Sequence, residues 1–264
     1  MALTFTTTAN VNFGSGATLA LAGAAQTWSW FGWILPTSDT VGRPFSIGDG
    51  GTDRKRLIVR PTYSLRMATL RGAGATNDQY DSGVYALTRN IWQFIAIAYD
   101  SSLGAGLRFT AYRGTLRTAP VELILTPNVD GSGNCDDDSA DSFFAGNSSP
   151  LTDPFNGQIY NFGYFPGYVL SPAQVAQLWQ FPRSAILMGA KLYSELGYHA
   201  IGTQPDLTGN ANHGTLTGAK LADNPVFTQP LSMQLKHIIN APAVVIPPLW
   251  PWQFQGQMGG LLAQ

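Results

Sequence analysis

The sequence predicts an all-β protein built as an antiparallel sandwich and finished by one short helix. Three observations carry that expectation. First, the strongest apolar segments alternate with period two rather than with helical spacing: residues 28–36 (WSWFGWILP), 92–100 (WQFIAIAYD) and 107–114 (LRFTAYRG). Second, 29 Gly and 17 Pro among 264 residues place turn signals at short intervals, as many short strands require. Third, residues 155–179 (FNGQIYNFGYFPGYVLSPAQVAQLW) read as a turn, a strand, and a helix with Ser171 as its N-cap and Pro172 in its first turn.

Residues 4–13 and 18–21 read as short strands near an edge, punctuated by Gly14, Gly16 and Gly23. In 28–36 both alternating sets are apolar, Trp28, Trp30 and Ile34 on one side and Phe31, Trp33 and Leu35 on the other. That predicts a central strand covered on both faces. Further strands are expected at 45–51, 57–59 and 63–70, with 72–83 as a surface loop. Residues 91–99 are rich in aromatic and β-branched side chains without Gly or Pro, and a hairpin at 100–102 returns them as 107–112. After a strand at 121–125 comes a polar, Asp-rich loop, 127–142. Residues 143–147 and 158–165 close the sandwich, and the helix lays Val175, Leu178 and Trp179 against its end.

Composition narrows the function classes. The chain has 44% hydrophobic residues, enough for a sizeable core, and a net charge of -1, which offers no basic footprint for nucleic acid. Basic residues do gather at Arg54, Lys55, Arg56, Arg60, Arg66 and Arg71, which at strand spacing read either as a local positive strip able to bind phosphate or, equally well, as turns and a solvated strand face. Only 12% of residues are charged, about half the usual share. A surface so sparsely charged suits permanent packing against partners, because few charges must be desolvated. The single cysteine, Cys135, rules out an internal disulfide. The start MALTFTTTANVNFGSG lacks the basic region and apolar run of a signal peptide, so synthesis in the cytoplasm is expected, and no stretch has the length needed to span a bilayer.

Beyond residue 182 the character changes. Residues 184–196 read as a helix or as a strand with a lead-in, 206–218 as successive turns, and 231–240 as a short amphipathic element. The expected division is a sandwich over 1–182, an accessory segment over 183–240, and an extended Pro-rich, aromatic arm over 241–264. Trp250, Trp252, Phe254 and Leu261 make that arm apolar, so it is expected either to pack on its own sandwich or to reach onto a neighbouring subunit.

The order of these segments resembles the laminin-G-like, or concanavalin A-like, lectin and glucanase superfamily. Val11-Asn12-Phe13-Gly14-Ser15 is similar to the opening strand of such modules, and residues 27–36 to the strand that follows. Trp92, Ile95, Ala96, Tyr99 and Asp100 fit the pattern W-x-x-I-A-x-x-Y-D, and Phe155, Gly157, Ile159, Leu170 and Ser171 fit the closing strand and helix. The segment 206–216 (DLTGNANHGTL) is similar to one that normally precedes the sandwich, yet here it follows it. It is therefore either a permuted strand completing the same sandwich or the start of another module, a permutation resembling that of phage-associated members. The resemblance implies a jelly-roll sandwich of the concanavalin A type, a fold shared by glycan-binding, catalytic and structural proteins.

Catalysis is not expected. Glycoside hydrolysis needs two carboxyl groups across a cleft, and the only glutamates, Glu122 and Glu195, have no partner carboxylate at strand spacing. Where the family's closing strand carries acids, Tyr160 and Asn161 stand. Asp130, Asp136, Asp137, Asp138 and Asp141 crowd one loop, which is either a solvated acidic loop or a site for calcium. Tyr80, Tyr85 and Tyr164 are the candidate aromatic faces for a sugar, with Tyr80 expected on an exposed loop. Two functions follow. One is a non-catalytic structural protein of a phage virion, forming a homo-oligomer or docking on other virion proteins. The other is a calcium-dependent carbohydrate-binding or adhesion module that meets a surface glycan.

Overall fold

The computed structural model describes residues 2–6, 8–23, 25–49, 52–72, 76–148, 153–197 and 202–223. The expected amphipathic element at 231–240 and the arm with Trp250, Trp252, Phe254 and Leu261 lie outside the described residues.

The chain opens with β1 (Ala2–Phe5), β2 (Asn10–Asn12) and the long central β3 (Thr27–Pro36). Four strands follow as a meander: β4 (Gly42–Asp49), β5 (Thr52–Arg60), β6 (Ser64–Arg71) and β7 (Thr76–Ser82). Next come β8 (Gln93–Asp100), β9 (Phe109–Thr115), β10 (Val121–Glu122), β11 (Leu125–Val129), β12 (Ser142–Ala145) and β13 (Gly157–Pro166). Two helices, α1 (Pro172–Gln180) and α2 (Ser184–Leu187), precede β14 (Leu192–Ser194), β15 (Thr203–Gln204), β16 (Gly214–Thr217) and β17 (Lys220–Ala222).

These strands form two sheets in which every strand pair is antiparallel. One runs β10-β9-β8-β3-β13-β1-β17 with β14 also on β13; the other runs β11-β7-β6-β5-β4-β12-β2-β16-β15. Among the described residues no strand pairing joins the two sheets. The architecture of the described residues is thus a sandwich of two antiparallel sheets. A single core lies between them, with Trp28, Trp30 and Tyr99 from the first sheet against Phe45, Leu57 and Met67 from the second. The far side of the first sheet carries its own apolar layer, where Phe31, Trp33 and Phe94 pack against Val175, Leu178 and Trp179 of α1. That second layer is why both alternating sets of β3 are apolar, as its sequence predicts. The helix is fixed at its start by a reciprocal capping box between Ser171 and Gln174, which satisfies two otherwise orphaned backbone groups.

The late segment enters both sheets. β1 and β14 share one edge of β13 end to end, pairing Leu3 with Ile159 and Tyr193 with Gly163. β16 pairs with β2, and β17 with β1.

Three local expectations are corrected. Residues 18–21 form turn and loop, not a strand. Residues 76–82, expected as loop, are β7, a strand whose sequence TNDQYDS hides its inward face because that face is polar: Asp78, Tyr80 and Ser82 are the buried positions. Residues 125–129 belong to β11, so part of the expected acidic loop is an edge strand paired with β7.

A candidate binding groove between the acidic loop and β5

The loop over residues 130–141 is folded down onto the end of the sandwich where β5 begins and β6 ends. Its backbone is tied to the sheet: Gly72 N–H donates to Asn134 O at 2.8 Å and Asp136 N–H to Leu70 O at 3.2 Å. The Gln26 side chain donates to Asp136 O at 2.8 Å and to Leu21 O at 2.9 Å. Such backbone anchoring fixes a loop that would otherwise lose conformational entropy without return.

The aspartates meet protein cations there. Arg54 binds Asp136 at 2.6 Å and Asp141 at 3.2 Å. Asp138 is fully buried against the ammonium group of Lys55, also fully buried, and accepts the Leu21 N–H at 2.5 Å. Burial drives the Lys55 pKa down against the opposing pull of Asp138. Asp130 stands apart, accepting from the Tyr80 hydroxyl at 2.8 Å and from Gly106 N–H at 2.9 Å. Asp137 points outward, and its hydrogen bonds from Ser139 hold its carboxyl below the usual range. The five aspartates expected as calcium ligands are therefore distributed among protein donors. Among the described residues no group of three or more His, Cys, Asp or Glu side chains is gathered as a metal-ligand set.

Beneath the loop lies a second buried charge cluster. Asp78 accepts from Arg108 at 2.6 Å, from Arg71 at 3.4 Å, from the Tyr99 hydroxyl at 2.7 Å and from Gly131 N–H at 2.7 Å. A buried carboxylate stays charged only with partners of this number and kind. Between loop and sheet the surface sinks into an open groove of about 560 Å³ lined by Arg54, Gly72, Asn134, Cys135, Asp136 and Asp137. Its walls present a guanidinium, an amide and two carboxylates, a mixed set of donors and acceptors.

The tyrosine expectations divide. Tyr80 is on β7 and fully buried, not on an exposed loop; burial and Asp130 push its phenol up to about 12. Tyr164 is likewise fully buried, its ring packed among Trp28, Phe45 and Phe143. Neither offers a ring face to solvent, because period-two placement sends both toward the core. Tyr85 is 69% exposed. It sits at the other end of β5, where the turn at 61–63 meets the loop at 83–91 through Tyr85 N–H to Thr62 O and Leu87 N–H to Tyr63 O. Thr62, Tyr63, Tyr85 and Asn90 all adopt positive φ between 53° and 62° there, a concentration of backbone strain of the kind found at functional loops.

Sequence reasoning noted Arg54, Lys55 and Arg71 only as part of a basic cluster, without linking them to the acidic loop, and passed over the supporting Asp78 and Arg108. A signal existed: a basic run at 54–56 in a chain with few charges, facing a loop with opposite charge to match.

No protein-family model matches the chain, and no curated protein sequence matches it. Solved structures that resemble it do so loosely. The heptameric SAP-like pentraxin of Limulus polyphemus has 12% identity and a TM-score of 0.46, over 67% of this chain and 81% of that one. The Ruminococcus gnavus IT-sialidase CBM40 bound to α2,3 sialyllactose has 14% identity and a TM-score of 0.45, over 59% and 83%. Domain 4 of AbnA, an extracellular arabinanase of Geobacillus stearothermophilus in complex with arabinotriose, has 17% identity and a TM-score of 0.32, over 60% and 68%. Likeness at this level adds nothing to what the strand pairing already establishes. No helix among the described residues is long and apolar enough to cross a membrane.

Proposed function

We propose that this chain is a non-catalytic binding module that takes a glycan in the groove between the acidic loop and β5. The observation that carries the reading is the groove itself, about 560 Å³ lined by Arg54, Asn134, Asp136 and Asp137. That volume suits a small ligand, and polar groups already fixed by ion pairs need little ordering when a polyol binds. A hydrolase needs an acid and a carboxylate facing each other across the cleft. Here Asp136 and Asp141 both bind Arg54, which favours binding over catalysis. Because Arg54 and Lys55 already neutralise three of the aspartates, recognition is proposed to proceed without calcium.

A glycan screen on the intact protein, repeated with chelator, tests this. The double substitution Asn134→Ala, Asp137→Ala should weaken binding at least about tenfold, equivalent to about 1.4 kcal/mol, without lowering Tm. Binding that survives this change but is lost in Tyr85→Ala would move the site to the opposite end of the sandwich. Binding lost on chelation would restore the calcium-dependent form.

A second reading, a structural subunit of a virus particle, is favoured by one observation. Leu107 (66%), just before β9, and Val121 (60%) and Ile124 (89%), where the chain passes through β10 towards β11, are exposed aliphatic residues. Pro127 and a register shift blunt the β11 edge itself, so contact there would be through side chains. Light scattering on the full chain and on Ile124→Lys separates the readings: an oligomer that dissolves on substitution favours the particle subunit, a monomer in both the binding module.

A further inference from the structure

We propose that Lys55 and Asp138 form an intramolecular amide bond, a covalent staple between β5 and the acidic loop. This is independent of what the groove binds. Three features of the site point to it.

The first is contact in the absence of water. Lys55 Nζ lies directly against Asp138 Oδ2, and both side chains have zero exposure. The Lys55 amine reaches inward because β5 alternates, with Lys55, Leu57 and Val59 on the core side. The Asp138 carboxyl is held from the opposite direction: Leu21 N–H donates to Oδ1 at 2.5 Å, and Asp138 N–H donates back to Leu21 O at 3.4 Å. Amine and carboxyl are thus presented to each other by two rigid segments 83 positions apart in sequence, the arrangement that turns a bimolecular condensation into a proximate one.

The second is activation. Burial lowers the Lys55 pKa against the pull of Asp138, which eases transfer of an Nζ proton to the carboxylate it touches. A proton passing from Nζ to Asp138 leaves a free amine facing a protonated carboxyl. The Nζ lone pair adds to Cγ, and the developing negative charge on Oδ1 falls on the Leu21 N–H, a preorganised oxyanion donor. A second proton moves from Nζ to Oδ2, the Cγ–Oδ2 bond breaks, and water leaves. The overall change is ammonium plus carboxylate to amide plus one water, with no oxidant, reductant or co-reactant. Asp141 adds a buried charge beside the pair: its N–H donates to the Asp138 backbone O at 3.0 Å, its carboxylate is held by Arg54 and 2% exposed, and its charge acts on Lys55.

The third is what the surroundings gain. An ion pair with zero exposure bears the full desolvation of two charges, whereas an amide in the same place is neutral. The Tyr164 hydroxyl, buried and without a hydrogen-bond partner, lies within reach of the Asp138 charge. Amide formation would remove the charge that this phenol now faces.

The test is the mass of the denatured full-length protein, followed by a tryptic digest. The expected mass is lower than that of the sequence by one water. The digest should lack cleavage after Lys55 and contain a peptide with Lys55 linked to the fragment carrying Asp138. In Lys55→Met the missing water should return, a readout that does not require this variant to fold. A wild-type mass equal to that of the sequence would overturn the proposal. So would a water deficit that maps to other residues or that persists in Lys55→Met.

Discussion

Where β5 begins, buried charge pairs reinforce the backbone ties of the loops; where β5 ends, the ties are backbone hydrogen bonds and the neutral side chain of Gln93. At the first end Asp78 gathers Arg71, Arg108, Tyr99 and Gly131 N–H, Asp138 meets Lys55, and Arg54 bridges Asp136 and Asp141. At the second end Tyr85 and Leu87 N–H donate to Thr62 and Tyr63 carbonyls, Asn90 N–H donates to Pro36 O, and the side chains of Val84, Tyr85 and Ile91 are exposed. The difference is one of interdependence. A buried charge network is stable only when complete, because each member removed strands another in a low dielectric. A backbone turn keeps its hydrogen bonds whatever side chain it carries, at the cost of left-handed φ at four residues. The first end therefore fixes a groove, and the second tolerates substitution.

The largest effect that would sharpen this comparison is Asp78→Ala. It removes a carboxylate with zero side-chain exposure and leaves Arg71 and Arg108, only 10% and 12% exposed, without that counter-charge. The expected loss is about 3–5 kcal/mol, read from urea unfolding. If the loss were no larger than that of a surface substitution, the charge-held picture of this end would be wrong.

Alkaline pH should act on the same interior. Burial raises the phenols of Tyr80, Tyr99, Tyr164 and Tyr193 above their ordinary value of 10. A raised folded-state pKa means the folded protein holds these protons longer than the unfolded chain. The associated stability is complete below pH 10 and is lost as pH rises through about 12 for Tyr80 and higher for the others. Tm should fall steadily once pH exceeds 10, and the absorbance change of these four buried phenols should accompany unfolding rather than precede it.

At the opposite end Tyr85→Gly should be mildly stabilising. The left-handed conformation at φ 57° costs a bulky residue about 1–2 kcal/mol, and glycine returns about 0.5–1 kcal/mol of that as unfolded-state entropy. A net gain of about 0.5–1 kcal/mol in thermal or urea unfolding is expected. A clear loss would mean that the ring itself holds the loop. The smallest effect belongs to Asp137→Ala, an exposed position, where Tm should be unchanged. That neutrality is what makes it a clean probe of groove binding.

Legibility in the sequence followed the range of the interactions. β3, β8 and β13 could be read because their apolar alternation is local and strong, and α1 because Ser171 and Gln174 make a capping box three residues apart. β7 could not: TNDQYDS places Asp78 and Tyr80 on its core side, and a polar inward face gives no hydrophobic pattern. The candidate site was half legible. The cluster of aspartates was visible, but their meaning was not, since Lys55 and Asp138 are 83 residues apart and Arg54 and Asp136 are 82 apart. Tyr80 and Tyr164 were misplaced for a related reason: an aromatic at a strand position does not announce which face it occupies.

By itself the sequence determined the class of protein, an antiparallel sandwich with an aromatic core and a capped helix, because alternation, turn chemistry and capping are set by neighbouring residues. The tertiary structure decided which charges are buried and with what. It placed Lys55 in the core, drew Asp136, Asp138 and Asp141 onto Arg54 and Lys55, and turned an acidic loop into the wall of a groove. Ionisable groups take their character from whatever the fold brings within a few ångströms, and that proximity is not written in any local stretch of chain.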